Sequence, residues 1–225
     1  MWYNLTRGES MTESNFLSKV FLWMFIGLMV TFGTGVLVTG NVQALEFIFS
    51  TGGYWFLVIA EFITVIVLSA RIHKMSSMAA KVCFILYSFL SGLTFSSIFI
   101  TFKVSSIITV FLITAVIMLI FGLIGARTSI DLSKFGTYLI MILFGIIIAS
   151  IINIFVGSVN FDIGLTIISL IVFILFIAYD VQKIKRLYLL NPDNENIAII
   201  GALELYLDFI NIFIRLISLF GKRRD

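Results

Sequence analysis

Two aspartates, Asp180 and Asp208, lie in apolar stretches on either side of a polar turn, Asn191-Pro192-Asp193-Asn194-Glu195-Asn196. Both are the same number of residues from Asn194. If the two stretches form an antiparallel helical hairpin, equal distance from the turn means roughly equal depth, so the carboxyl groups face each other in or at the edge of a membrane. A charged acid at the centre of a membrane helix costs roughly 2.5–3.5 kcal/mol on insertion scales, and acids kept there mark ion paths or proton relays. The chemistry expected of the pair is therefore binding of protons or cations. The plainer alternative is that Asp180 ends its helix at the interface and Asp208 makes one buried hydrogen bond.

Other polar residues extend this pattern. Glu61 stands near the middle of an earlier apolar stretch and is a third costly acid. In the last apolar segment Glu204, Asp208, Asn211 and Arg215 follow at spacings of four, three and four, which puts them on one helical face. Charges in a span face the bundle interior or a wet cavity, so this segment is expected at the centre, with the others around it. A blander reading has Glu204 and Arg215 near opposite interfaces, where long side chains reach water. Asn153 is a further polar candidate near the end of its span. His73 and Cys83 are the only residues of their types, which leaves no zinc-type set and no internal disulfide.

The elements that must position these side chains are membrane helices. Hydrophobic residues make up 60% of the 225, charged residues 12%, and there is one proline. A soluble domain averages about 25% charged residues. The formal charge of +3 is spread over loops rather than massed, so nucleic acid is not implied. Seven spans are expected: about Val20 to Val38, Tyr54 to Ala70, Val82 to Phe102, Ile107 to Ile124, Phe135 to Val156, Ile163 to Tyr179 and Ile197 to Phe220. The fold class is all-α, a polytopic bundle with the seventh helix central. It divides into a polar arm (1–15), a transmembrane domain (16–221) and a basic tail (222–225). The start lacks the pattern of a signal peptide. Ser91-Gly92-Leu93-Thr94 permits tight helix packing, and Ser129 or Asp131 is a candidate cap for the fifth span.

Arg71, Lys74 and Lys81 follow span two; Arg127 and Lys134 follow span four; Lys183, Lys185 and Arg186 follow span six. The loops after spans one and five carry no Lys or Arg, and that after span three has only Lys103. The positive-inside rule then puts the N-terminus in the cytoplasm. Lys222, Arg223 and Arg224 oppose that rule if the last segment crosses, but its length favours crossing.

Four pieces, in order, carry a family resemblance: Ser91 to Thr94, Gly122 to Gly136 (GLIGARTSIDLSKFG), Tyr179-Asp180, and Ala202 to Phe213 (ALELYLDFINIF). Each is weak alone, but together they make a chain that resembles the Bax inhibitor-1 family, especially its bacterial pH-sensitive calcium-leak members. The resemblance covers nearly the whole chain. It implies seven spans around a central seventh helix, a bacterial inner membrane, and a passive calcium leak rather than an enzyme. It implies that Asp180 and Asp208 are the pH sensor on the ion path and the tentative weak calcium ligands, that Glu61 lies in the pore, and that Arg71 latches an aspartate when the path is closed. The Glu61-to-Arg71 spacing is one residue shorter than the family pattern, and one residue turns a helix by about 100°.

Elementary physics agrees with this mechanism. Two carboxylates within hydrogen-bond reach cannot both ionise cheaply, so they titrate as a unit and can share a proton. Calcium takes roughly six to eight oxygen ligands, so two or three acids with water and backbone oxygen make a weak site, and conduction requires that the ion leave. No cofactor is expected, and no ATP-binding loop is present to drive flux uphill. Calcium, protons and lipid are the expected partners. The alternative function is regulation through an unidentified membrane partner, a protease or a cell-death or stress factor. An intramembrane aspartyl protease is disfavoured: Tyr179-Asp180 resembles half of that signature, but Leu205-Tyr206-Leu207-Asp208 stands where Gly-x-Gly-Asp is required.

Overall fold

The structure is a computed structural model that describes residues 12–224. Residues 1–11 of the expected polar arm, and Asp225 of the tail, lie outside the described residues. Among those described, the chain forms eight α-helices: α1 (Glu13–Thr39), α2 (Val42–Phe49), α3 (Thr51–Arg71), α4 (Ser77–Thr101), α5 (Val104–Arg127), α6 (Ser133–Val156), α7 (Val159–Leu190) and α8 (Asn196–Phe220). All except α2 are long and apolar enough to cross a membrane. The all-α, seven-span architecture is the one expected. The short helix α2 was expected as loop. Asn41 caps its start by accepting the Ala44 N–H at 3.0 Å, and Ser50 caps the start of α3 by accepting the Gly53 N–H at 3.0 Å. Two side-chain caps so close together divide this segment into separate helices.

α8 is the central helix. In its most apolar stretch 78% of residues are buried, against 11% for α6 and 17% for α3. It packs against α1, α4, α5 and α7. Tyr206, Phe209 and Phe213 fill its buried face. Phe32 of α1 meets Phe95 and Phe99 of α4, Phe111 of α5 and Phe213 of α8 edge-on, with centroids 4.8–6.0 Å apart. This is the preferred geometry of aromatic pairs. In a membrane, where lipid is as apolar as a leucine core, close packing carries much of helix association. Two glycines set that closeness. A Cβ at Gly92 would lie 2.7 Å from the Thr31 carbonyl oxygen of α1, and one at Gly125 would lie 2.3 Å from the Ala178 carbonyl oxygen of α7.

α7 continues eleven residues beyond Tyr179, where its apolar run ends. At about 1.5 Å per residue its full length is about 48 Å, longer than a hydrocarbon core of about 30 Å. Its polar end is held by the α5–α6 link. Gln182 accepts the Leu132 N–H and donates to the Ile130 carbonyl, both at 2.8 Å. Lys185 donates to the Ala126 carbonyl at 2.8 Å and pairs with Glu13 at 3.0 Å. Arg186 bonds Asp131 at 3.0 Å and also reaches the Ser133 hydroxyl. Neither Ser129 nor Asp131 caps α6 as expected: Leu132 takes that position without a side-chain cap, and Asp131 instead accepts the Ser133 N–H and O–H just before the helix. These two bonds, then the Arg186 charge, hold the Asp131 carboxyl below its usual range. Their contribution to the clamp is present above the ordinary aspartate pKa and is lost as pH falls through the lowered one.

The 191–196 turn is tied to the α3–α4 link. Asn196 donates to the carbonyls of Ile72 and Met75 at 2.7 and 2.8 Å, and Glu195 accepts from the Ser77 hydroxyl at 2.8 Å. That bond, with Lys19 and Lys81 nearby, also holds the exposed Glu195 carboxyl below its usual range. The tail lies at the other end of the bundle. Lys103 N–H donates to the Lys222 carbonyl and Arg224 N–H to the Thr101 carbonyl, both at 2.9 Å, across the Phe102–Arg223 bridge. The last segment therefore runs the length of the bundle and does not turn back.

Two outcomes are expected. With Cys83 replaced, single cysteines at Ser129 and Asn194 will be labelled from one side of the membrane and a cysteine at Arg223 from the other; labelling of Ser129 and Asn194 from opposite sides discards the topology. Gly125→Ala will force α5 and α7 apart and lower stability by about 1–3 kcal/mol, the usual cost of overpacking, seen as a lower melting temperature.

Candidate functional site

Asp180 sits well inside α7 and Asp208 at the middle of α8, and the two line one cleft, each within the electrostatic reach of the other. Both residues are buried, with 7% and 4% of their surface exposed. Asp208 Oδ2 has no hydrogen-bond donor among the described residues. Two ionised carboxylates present only acceptors to each other, so a hydrogen bond between them forms only when one of the pair carries a proton.

The pair lines a cleft of about 540 Å³ between α6, α7 and α8. It exists because α6 packs on α7 and leaves α8 uncovered on that side. One wall is apolar and includes Leu143, Ile146, Ile147 and Ile151 of α6. The other is the predicted polar face of α8: Glu204, Asp208, Asn211 and Arg215 all line it. Asn211 donates to the Leu207 carbonyl of its own helix at 2.8 Å. Arg215 is half-buried and makes no ion pair with a described residue.

A cation stands at the pair, and it is Lys183, which the sequence reading assigned to a loop. Its ammonium lies 2.5 Å from Glu204 Oε1 and 3.9 Å from Asp180 Oδ1. It is also 6.0 Å from the centroid of the Tyr179 ring, at the edge of cation–π range. Lys183 lines a second, smaller cavity with Ser133, Tyr179 and Arg186. Two signals in the sequence pointed to it. Lys183 is three residues after Asp180, hence on the same face of the helix. It also stands at nearly the same distance from Asn194 as Glu204 does.

Three expected members are elsewhere. Arg71 ends α3, is exposed, and makes no ion pair among the described residues. α3 packs on α2 and α4 rather than on the hairpin, so its terminal side chain does not reach the pair. Asn153 turns back to accept the Ser158 N–H at 3.2 Å at the end of α6. Glu61 accepts from the Thr94 hydroxyl at 2.8 Å and faces Tyr87 and Tyr206. Tyr206 and Asp208 are two residues apart, about 200° around α8, so Glu61 and the aspartate pair lie on opposite sides of the central helix. Tyr206 itself shares a 2.6 Å hydrogen bond with Thr31, whose hydroxyl also lies 2.9 Å from the Ser88 carbonyl. Glu61 therefore belongs to a separate network of hydroxyl groups.

Among the described residues, no three His, Cys, Asp or Glu side chains gather to hold a metal ion. A cation at this site would meet the two aspartates, with Glu204 drawn aside by Lys183.

Comparison with known proteins identifies the family. A family model described as "Inhibitor of apoptosis-promoting Bax1" matches residues 13–225. The inner membrane protein YbhL of Escherichia coli K12 is 40% identical over 215 residues, covering 93% of this chain and 92% of its own. An uncharacterized protein of Borreliella burgdorferi is 38% identical over 222 residues, 96% of each chain. An uncharacterized protein of Rickettsia prowazekii is 31% identical over 214 residues, 93% of this chain and 90% of its own.

The separation of the two polar clusters has a measurable consequence. Glu61→Gln keeps an acceptor for Thr94 and should change stability by less than about 1 kcal/mol. Combined with Asp208→Asn, its effect on thermal stability should add within about 0.5 kcal/mol. A larger coupling would mean that the two acids share one site.

Proposed function

The chain belongs to the Bax inhibitor-1 family, and on that premise we propose that it is a passive cation leak, with calcium as cargo and the Asp180–Asp208 pair as its proton-sensitive control. One observation carries this reading: two buried carboxyl groups from adjoining helices line one cleft, and one of their oxygens has no donor among the described residues. A purely structural polar contact would be expected to satisfy its own atoms. Here the unsatisfied oxygen requires a proton or a cation, which is the requirement of a site that exchanges both.

With both aspartates ionised, their repulsion must be met by a cation or by separation of α7 and α8. With one proton shared, the two helices are held together and the charge offered to a cation falls. Protons and calcium therefore compete for the same oxygens. The weakness of a two-carboxylate site suits release of the ion. In this reading the path uses the cleft beside α6, and Glu61 and Arg71 stand outside it. No covalent chemistry is asked of any side chain. The membrane is a bacterial inner membrane, by likeness to the E. coli relative. The N-terminus is cytoplasmic, because Arg71, Lys74, Lys81, Arg127, Lys134, Lys185 and Arg186 lie towards the end where α1 begins.

The test is calcium flux into liposomes carrying the pure protein, measured between about pH 5 and 8, the range in which a shared proton of this kind titrates. Asp180→Asn and Asp208→Asn should each flatten the pH response, and the double variant should be far from additive. Retention of the wild-type pH profile by both single variants would overturn the shared-proton control and leave the aspartates structural.

A further inference from the structure

The cation already beside the pair has a role beyond neutralising Glu204. We propose that Lys183 is a tethered cation that fills the position a free ion would take, and that its charge sets the valence and affinity of the ion the site accepts. The inference deepens the leak reading and rests on it for its physiological meaning, but not for its test.

The geometry supports this in three steps. First, the ammonium lies between two carboxylates, 2.5 Å from Glu204 and 3.9 Å from Asp180. The ammonium is thus hydrogen-bonded to one carboxylate and at ion-pair distance from the other, although its side chain keeps part of its surface exposed. Second, Asp208 Oδ2 and Glu204 Oε2 are buried with no donor among the described residues, although the ammonium has three N–H groups to give. The site therefore has more acceptor oxygens than its own lysine serves. Third, Glu204 and Asp208 are four residues apart on one face of α8, so their side chains are neighbours. Without the ammonium to draw it aside, Glu204 is free to join the pair as a third oxygen donor.

Charge then decides which ion is favoured. Three carboxylates and one ammonium leave a net charge of −2 with no proton bound, and −1 when the aspartates share one. Removing the ammonium makes these −3 and −2. A divalent ion gains twice as much from that change as a monovalent one at the same distance. Lys183 thus keeps the site weak and limits its preference for divalent ions. Arg186, which bonds Asp131 and Gln182, is committed to the α5–α6 link, and Arg215, which lines the same cleft, stands seven residues from Asp208 on α8, about 10 Å along the helix, and contributes the same charge to every variant compared.

The experiment measures binding, not flux. Melting temperature of the full-length protein in detergent is followed against calcium and, separately, against sodium at matched ionic strength, since a ligand that binds the folded state raises it. Lys183→Met should respond to calcium at a concentration about tenfold or more below that needed by the wild type, with a clearly smaller change for sodium. Lys183→Arg, which restores the charge, should bring the calcium response back towards wild type. Lys183→Met/Glu204→Gln, which removes one charge of each sign, should do the same. Should Lys183→Met fail to fold, Lys183→Gln carries the same direction of change, because it removes the same charge while keeping a polar side chain at that position. The proposal is overturned if the folded neutral variants respond to calcium as the wild type does, if calcium and sodium responses change equally, or if Lys183→Arg matches Lys183→Met. Absence of calcium flux through the wild type at every pH would remove the leak reading and leave this comparison standing.

Discussion

A carboxylate in the interior of an apolar helix bundle must be given a proton, a cation or a hydrogen-bond donor, because its desolvation is too costly to leave unanswered. Asp208 imposes this requirement on the rest of the structure. It lies on the most buried helix, where lipid cannot be reached and α1, α4 and α5 offer packed aromatic and aliphatic side chains. The remaining neighbour is α7, and α7 answers with Asp180, which only restates the problem unless a proton is shared. Lys183 and Glu204 then form an outer pair, so that the hairpin carries three acids and one ammonium in a small volume. The open side of α8 is what makes this tolerable. Had α6 closed against α8 as tightly as α1 does against α4, the acids would have no access to water or ions.

The hairpin is held in register from outside the site. Asn196 bonds two carbonyls of the α3–α4 link, and Gln182, Lys185 and Arg186 fasten the polar end of α7 to the α5–α6 link. Gly125 brings α5 against the backbone of Ala178, only two residues from Asp180. A change in how α7 and α8 meet at the aspartates is thereby resisted by contacts that carry no charge into the membrane. The site is wet and charged on one side of α8, and its supports are polar only beyond the apolar run.

Much of this was legible in the sequence. Hydrophobic run lengths located the seven spans, and equal distance from Asn194 pointed to the cleft that Asp180 and Asp208 share. The spacing of Glu204, Asp208, Asn211 and Arg215 gave both the centrality of the last helix and the face that lines the cleft. What failed did so for identifiable reasons. Counting apolar residues ended the sixth span at Tyr179, whereas side-chain partners in the α5–α6 link carry α7 on to Leu190. That early end made Lys183 look like a loop charge and hid the cation of the site. Glu61 is apolar-flanked like the aspartates, but burial alone does not say which side of the central helix an acid faces. Arg71 was carried over from a family pattern whose spacing this chain does not keep, and α3 packs away from the hairpin.

Tyr206 and Asp208 show why one helix can serve two environments. The tyrosine is fully buried, hydrogen-bonded to Thr31 and boxed by the rings of Phe84 and Tyr87. Two residues on, the aspartate opens into a cleft and lacks a donor for one oxygen. On the Tyr206 face hydroxyls both give and accept hydrogen bonds, so the network satisfies itself and can be rigid. On the Asp208 face the carboxylates can only accept, and the Lys183 ammonium that donates to Glu204 leaves Asp208 Oδ2 without a donor among the described residues. The chemical difference between hydroxyl and carboxylate, placed on opposite faces of α8, divides the bundle into a side whose hydrogen bonds are complete and a side that leaves carboxylate oxygens unsatisfied among the described residues.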